Sequence, residues 1–403
     1  MKIPLLDLSG QYKTIRKKAE AAILRVARSQ RYILGPEVEN FERAAAKYLN
    51  VKHALGVSSG TDALLVALTA IGIQPGDEVI VPAFTFFATA SAAARLNAVP
   101  VFADIDPVSF TVTAEEIERK ITPRTKAVIP VHLYGQCAEM EPILNLARRR
   151  RLKVIEDAAQ AIGAAYKDGR RAGTMGDAGC LSFYPSKNLG GFGDGGMVLT
   201  QDDRLFGQME LLRAYGAKPK YFHRILGGNF RLDALQAAVL GVKLPYLDGW
   251  TRARERNADR YTKLFMEAGL SEGEGILRFD AANRVLLPKA VRRDVPEARS
   301  FYHVYHQYVI RVEKRDRLRT HLTNAGIGTD IYYPIPLHLQ ECFQHLGYRQ
   351  GDLPHAEQAA ETTIALPVYP ELTPARQLAV VRHVKNFLRG KWTGFNLREA
   401  VKK

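Results

Sequence analysis

Val154-Ile155-Glu156-Asp157-Ala158-Ala159-Gln160 and Cys180-Leu181-Ser182-Phe183-Tyr184-Pro185-Ser186-Lys187-Asn188 are the two stretches whose reading decides the fold. Each opens as a short, mostly apolar run that predicts a buried strand, and each passes into small and polar residues that end one. The first delivers Asp157 at its carboxyl end; the second delivers Ser182 and, just beyond it, Lys187. Open α/β sheets place ligand-binding groups at the carboxyl ends of their strands. A carboxylate and an amine are therefore expected to converge on one sheet edge.

Around these stretches, the chain from about Val51 to Thr200 alternates short β-branched runs with helical periodicity, the pattern of βα units around a mostly parallel sheet. Strands are expected at Glu78–Val81, Val99–Phe102, Lys126–Val131, Lys153–Glu156, Cys180–Tyr184 and Met197–Thr200. Helices are expected to start near Thr61, Ala88, Ala114, Met140 and Asp203. The fold class is thus α/β, with a large, doubly wound, mostly parallel sheet domain and a smaller C-terminal α/β domain. A helical stretch from Asp233 to Phe265, broken near Pro245, links them, and the division falls at residues 1–250 and 251–403. In the second domain Tyr305–Val312 predicts a strand, Arg315–Ala325 a helix and Ile327–Tyr333 a strand, with fraying from Gly390 onward.

Composition narrows the class. The 403 residues are 46% hydrophobic and 25% charged, as in soluble globular proteins. No apolar run approaches the roughly 18 residues of a membrane span, and Met1-Lys2-Ile3-Pro4 opens no signal peptide. A cytoplasmic protein without a membrane partner is expected. Cys137, Cys180 and Cys342 form no CxxC pair and read as buried, reduced thiols. The formal charge of +15 raises the question of nucleic acid, but Arg148–Arg151 closes a helix and the arginines from Arg252 to Arg260 are interleaved with Glu255 and Asp259. Solvated helix faces account for both, and no nucleic-acid partner is expected. His132, His303, His306 and His338 lack metal-ligand spacing, so no metal is expected.

Pyridoxal-phosphate chemistry needs an amine that holds the cofactor's aldehyde as an imine and a carboxylate that keeps its pyridine nitrogen protonated. Lys187 and Asp157 are the candidates, although singly each reads as a loop lysine and a helix cap. Ser58-Ser59-Gly60-Thr61-Asp62-Ala63-Leu64 adds a third element, because small residues between a strand and a helix let backbone N–H groups approach a phosphate at the helix N-terminus. Gly60 and Thr61 are the binding candidates there. Gly191-Phe192-Gly193-Asp194-Gly195-Gly196 spells GxGxxG but runs from Lys187 into a strand, so it reads as a tight turn and not a dinucleotide site.

These segments, with Tyr32-Ile33-Leu34-Gly35-Pro36, VIVPAFTFFATA, VHLYGQ, GGNFRLDALQAAVL and YYPIPLH, resemble the DegT/DnrJ/EryC1/StrS family of sugar aminotransferases, a branch of the fold type I pyridoxal-phosphate enzymes, over nearly the whole chain. The resemblance implies pyridoxal 5′-phosphate as cofactor, held through Lys187, with Asp157 on the pyridine nitrogen and Gln160 near the ring hydroxyl. It also implies Phe86 stacked on the ring, Gly60, Thr61 and Ser182 on the phosphate, and Asn229 reaching the phosphate from a neighbouring subunit, hence a homodimer with shared active sites. L-glutamate is the implied donor and a nucleotide-linked keto sugar the acceptor, aminated at C3. Arg231, Tyr332, Tyr333 and His338 are the sugar-side candidates, with Arg213 and Tyr215 close by. The nearest resemblance is to enzymes of UDP-2-acetamido-2-deoxy-3-oxo-glucuronate, some of which carry histidine where Tyr332 stands, so dTDP-linked 3-keto-6-deoxyhexoses stay open. Alternatives are a 4-keto-sugar aminotransferase and a cofactor-binding regulator without turnover; a sugar-dehydrating member would carry histidine in place of Lys187.

Overall fold

A computed structural model describes residues 2–282, 284–291 and 301–390. Two helices open the chain, α1 (Leu8–Ser29) and α2 (Pro36–Leu49). Asp7 caps α1 by accepting from the backbone of Ser9 and Gly10, and Pro36 starts α2, where a missing N–H costs nothing. Alternation follows: β1 (His53–Val57), α3 (Gly60–Ala70), β2 (Glu78–Pro82), α4 (Ala88–Ala94), β3 (Val99–Ala103), α5 (Ala114–Glu118), β4 (Thr125–Val128), α6 (Met140–Arg150), β5 (Lys153–Asp157), β6 (Ala178–Ser182), β7 (Gly196–Thr200) and α7 (Asp203–Arg213).

Among the described residues these strands form one seven-stranded sheet in the order β1-β7-β6-β5-β4-β2-β3. Strand β7 runs antiparallel to β1 and β6, and the remaining pairings are parallel. Both faces are covered. Ile80, Val154 and Leu181 face one apolar core with Val26 of α1, Phe41 of α2 and Ile143 of α6. Their strand neighbours Val81, Ile155 and Cys180 face the other, with Leu64 and Leu68 of α3. Burial on both faces is why these strands read as continuous apolar runs.

Beyond the sheet lie α8 (Ala234–Lys243), a 3-10 turn at Leu244–Tyr246 containing Pro245, and α9 (Leu247–Glu267). Helix α9 passes residues 250 and 251 unbroken: Trp250 packs on Ile15 and Ala19 of α1, whereas Tyr261 and Phe265 enter a separate core. That core is built on β8 (Tyr308–Arg311), α10 (Arg315–Asn324), β9 (Thr363–Leu366) and α12 (Pro374–Leu388), with β8 and β9 paired antiparallel. Between α10 and β9, α11 (Pro354–Thr362) packs Ala356, Ala359 and Ala360 into the core of the large sheet. Ile3 packs into the smaller core, so the first residues of the chain serve that unit.

Two expectations are corrected. Ile327–Tyr333 is not a strand: Gly328 N donates to Ile3 O at 2.8 Å, while Asp330 and Ala365 exchange bonds, so the segment meets two different partners in single bridges and builds no ladder. Cys137 and Cys180 are buried, but Cys342 is exposed. The expected fraying falls on residues outside the described ones, Gly390 excepted. Among the described residues no helix is long and apolar enough to cross a membrane.

Candidate active site

Parallel neighbours β5 and β6 bring their carboxyl ends side by side, with Asp157 opposite Cys180. Asp157 is buried. Its Oδ2 accepts from Thr89 Oγ1 at 2.8 Å and its Oδ1 from Ala159 N at 3.2 Å, which fixes the carboxylate plane. Glu156, one residue back, points to the opposite face of the strand, where it accepts from His132 Nε2 at 2.7 Å and Gly173 N at 2.8 Å. The alternation therefore separates a structural carboxylate from one at the sheet edge.

Past β6 the chain closes on itself: Lys187 N donates to Tyr184 O at 2.8 Å and Gly191 N to Phe183 O at 2.7 Å. Buried Asn188 donates to Val304 O at 2.9 Å, and its Oδ1 lies 3.1 Å from His306 Nδ1. Lys187 is held half-buried at the edge. Burial pushes its ammonium down to about 8, with the Asp157 carboxylate pulling the other way. Burial, aided by the Lys187 charge, also pushes His306 well below its ordinary value, so its ring is neutral.

The N-terminus of α3 abuts the same edge. Ser59 caps the helix by accepting from Asp62 N at 3.0 Å, and the Ser58 and Ser59 hydroxyls donate to Asp62 Oδ2 at 2.7 and 2.9 Å. A Cβ at Gly60 would lie 2.8 Å from Ser182 Cβ. Only glycine lets the helix start touch the end of β6, which places Gly60, Thr61 and Ser182 together with helix N–H groups free for an anion.

An aromatic wall faces this group. Phe86 is 56% and Phe87 43% exposed, while Phe84 is fully buried, so Phe84 alone of the three rings belongs to the core. Phe86 and Tyr333 ring centroids are 6.0 Å apart. Gln160 Oε1 accepts from Tyr134 N at 2.8 Å and its Nε2 donates to Tyr333 Oη at 3.1 Å. Tyr134 donates to Tyr332 O, and the Tyr332–Tyr333 peptide is cis. Burial pushes both phenols up, Tyr332 to about 12 and Tyr333 beyond it, the latter with help from the Asp157 charge.

Three candidates lie elsewhere. His338 is 1% exposed, its Nε2 3.0 Å from Glu357 Oε1, so it sits in packing and not on an open surface. Asn229 and Arg231 run along the outer edge of β1, where Ser58 N donates to Phe230 O at 3.0 Å. They line an open cleft of about 620 Å³ with Ser58, Ser59, Asp194 and Gln236, a lining that does not include Lys187. Arg231 lies 5.6 Å from the Tyr215 ring centroid, and Arg213 is paired with Glu42. Sequence reasoning missed Thr89, Asn188 and Tyr134. Thr89 alone left a trace, as a hydroxyl between alanines in an apolar helix start.

These groups fit pyridoxal phosphate: a half-buried amine with a depressed proton affinity, a fixed carboxylate, a glycine-opened helix N-terminus and an exposed ring. Comparison with known proteins agrees. Residues 13–385 match the DegT/DnrJ/EryC1/StrS aminotransferase family. The chain is 48% identical over 389 residues to the pleiotropic regulatory protein of Geobacillus stearothermophilus, covering 96% of this chain and 99% of that one. It is 42% identical over 386 residues to dTDP-3-amino-3,4,6-trideoxy-α-D-glucose transaminase of Streptomyces venezuelae, covering 96% of each. The solved structure of S. venezuelae DesV superposes with a TM-score of 0.88 at 42% identity, covering 96% of this chain and 98% of that one. The chain thus belongs to the DegT/DnrJ/EryC1/StrS aminotransferase family and is a pyridoxal-phosphate-dependent aminotransferase.

Proposed function

We propose that the enzyme transfers the amino group of L-glutamate to C3 of a nucleotide-linked keto sugar, acting as a homodimer with shared active sites. The acceptor is of the UDP-2-acetamido-2-deoxy-3-oxo-glucuronate or dTDP-3-keto-6-deoxyhexose type. The observation that carries the reading is the meeting of Lys187, its ammonium pushed down to about 8, with buried Asp157 at one sheet edge. The name of the S. venezuelae relative, a 3-amino-sugar transaminase, supports position 3. Tyr221, Phe222 and Leu226, which are 77%, 68% and 98% exposed just before Asn229, support a second copy covering this face.

When bound, pyridoxal phosphate supplies a carbonyl carbon that takes up the amino group and a ring that accepts electron density. Asp157, oriented by Thr89 and Ala159, holds a proton on the ring nitrogen. Lys187 holds the cofactor between turnovers. Its amine would carry the proton taken from the donor's α-carbon to the carbon that was the cofactor's carbonyl, a task suited to an amine that is partly neutral near pH 8. Gly60, Thr61, Ser182 and Asn229 of the partner subunit hold the phosphate. Phe86 covers a ring face, worth about 1 kcal/mol beyond burial, and Gln160, held by Tyr134 and Tyr333, presents its amide to the ring hydroxyl. Tyr332 and Tyr333 meet the sugar together with Arg231 of the partner subunit, whereas His338, enclosed beside Glu357, does not reach it.

Purified enzyme incubated with glutamate and a panel of 3-keto and 4-keto nucleotide sugars tests this reading. Amination of the 3-keto set is expected, and amination of 4-keto sugars alone would overturn it.

A further inference from the structure

Lys243, the last residue of α8, is 2% exposed, and among the described residues no carboxylate is paired with it. Its Nζ donates to Gly190 O at 2.5 Å, and the Phe192 and Trp250 ring centroids lie 5.7 and 5.9 Å from the ammonium. Burying a cation without a counter-charge is unfavourable, and burial pushes this one down to about 8. An apolar side chain would be easier to bury at this position. What lysine adds is a donor at the end of a long stem, delivered to a carbonyl three residues past Lys187.

The rest of α8 grips the same turn. Gln236 lies seven residues before Lys243, two helical turns back on the same face. Its Oε1 accepts from Phe192 N at 2.7 Å. A Cβ at Gly191 would lie 2.7 Å from Gln236 Oε1, and one at Gly193 would lie 2.8 Å from its Nε2. A Cβ at Gly190 would lie 2.3 Å from Pro185 O. Gly191 and Gly193, two of the glycines that spell a dinucleotide fingerprint in the sequence, are thus the surface on which this helix closes. Val304 and His306 hold the turn from the other side through Asn188.

We propose that Lys243 is a positioning residue for the reaction: from between Phe192 and Trp250 it fixes Gly190, and thereby aims Lys187 at the cofactor's carbonyl carbon. The proposal rests on Lys187 being the lysine that holds the cofactor.

Holoenzymes carrying Lys243→Met and Lys243→Gln are compared with wild type by kcat, KM for glutamate, melting temperature and the visible circular dichroism of the bound cofactor, which reports ring orientation. Lys243→Met keeps the apolar stem without the donor; kcat is expected to fall about 10-fold or more, because small misplacements of a reacting group are costly. KM should stay within about 2-fold and the visible dichroism should change. Lys243→Gln keeps a donor and is expected to recover kcat to within about 3-fold of wild type. The proposal is overturned if Lys243→Met keeps wild-type kcat and dichroism, if only its melting temperature falls, or if Lys243→Gln is no better than Lys243→Met. Should Lys243→Met fail to fold, Lys243→Gln decides alone: near-wild-type kcat with a small dichroic change supports the proposal, and unchanged dichroism with a lower kcat overturns it. Lys187→Ala is the separate control, since a variant that keeps the visible cofactor band and turnover refutes the role of Lys187 itself.

Discussion

An amine that must serve as nucleophile and base near neutral pH has to release its proton more readily than a solvated lysine, and burial does this for Lys187. Its reactive neutral fraction grows as pH rises through about 8, against about 10.4 for an exposed lysine. Capture of added pyridoxal phosphate by apoenzyme, followed by growth of the visible band, should therefore quicken with pH and level off above a midpoint near 8. Because the Asp157 carboxylate raises this value, Asp157→Asn should move the midpoint lower still. A rate still climbing steeply toward the ordinary lysine range contradicts the burial seen here. At Gly60 the limit is space: a Cβ 2.8 Å from Ser182 Cβ forces the α3 start off β6. Gly60→Ala should weaken cofactor affinity about tenfold or more, a loss of about 1.4 kcal/mol, measurable by equilibrium dialysis. Asp157 and Lys187 were legible in the sequence because each closes or follows a strand. Thr89 left only the trace of a hydroxyl between alanines, since the bond that makes it matter spans 68 positions.

Helix α9 joins the two cores, and one side chain in it carries much of the junction. Arg254 is 4% exposed, and its Nη1 donates to Tyr305 O at 3.1 Å and Val368 O at 2.8 Å. Burial pushes its guanidinium down to about 10, with the Glu371 charge opposing. Arg254→Met removes the buried donor that ties α9 to these carbonyls and should cost on the order of 3 kcal/mol, read as a lower melting temperature. Element starts at Ala88, Ala114, Met140 and Asp203 were readable because small or polar residues precede apolar periodicity. The misreading of 327–333 has a different origin. Alternating apolar residues satisfy the pattern of a strand, but a strand also needs one continuous partner, and Gly328 and Asp330 bond to residues from opposite ends of the chain.

At the scale of the molecule, Asn229 and Arg231 lie along the edge of β1, outside the group around Lys187. If two copies complete each other's sites, mixing Lys187→Ala with Asn229→Ala subunits yields hybrids with one intact site. Refolded together in equal amounts, the two inactive variants should recover about a quarter of wild-type activity; no recovery would place both residues in one subunit's site. The charge of +15 should also show itself, with kcat/KM for a doubly charged sugar nucleotide falling as salt rises. By itself the sequence determined the α/β alternation, the strand ends that carry Asp157 and Ser182, and the small residues at 58–61, because periodicity and turn chemistry are local properties. The tertiary structure alone decided that Lys243 is a buried cation on Gly190, that His338 is enclosed by Glu357, and that Asn188 is tied to His306. A lysine reads the same in sequence whether water or two aromatic rings surround it, and only the packing of distant elements settles which.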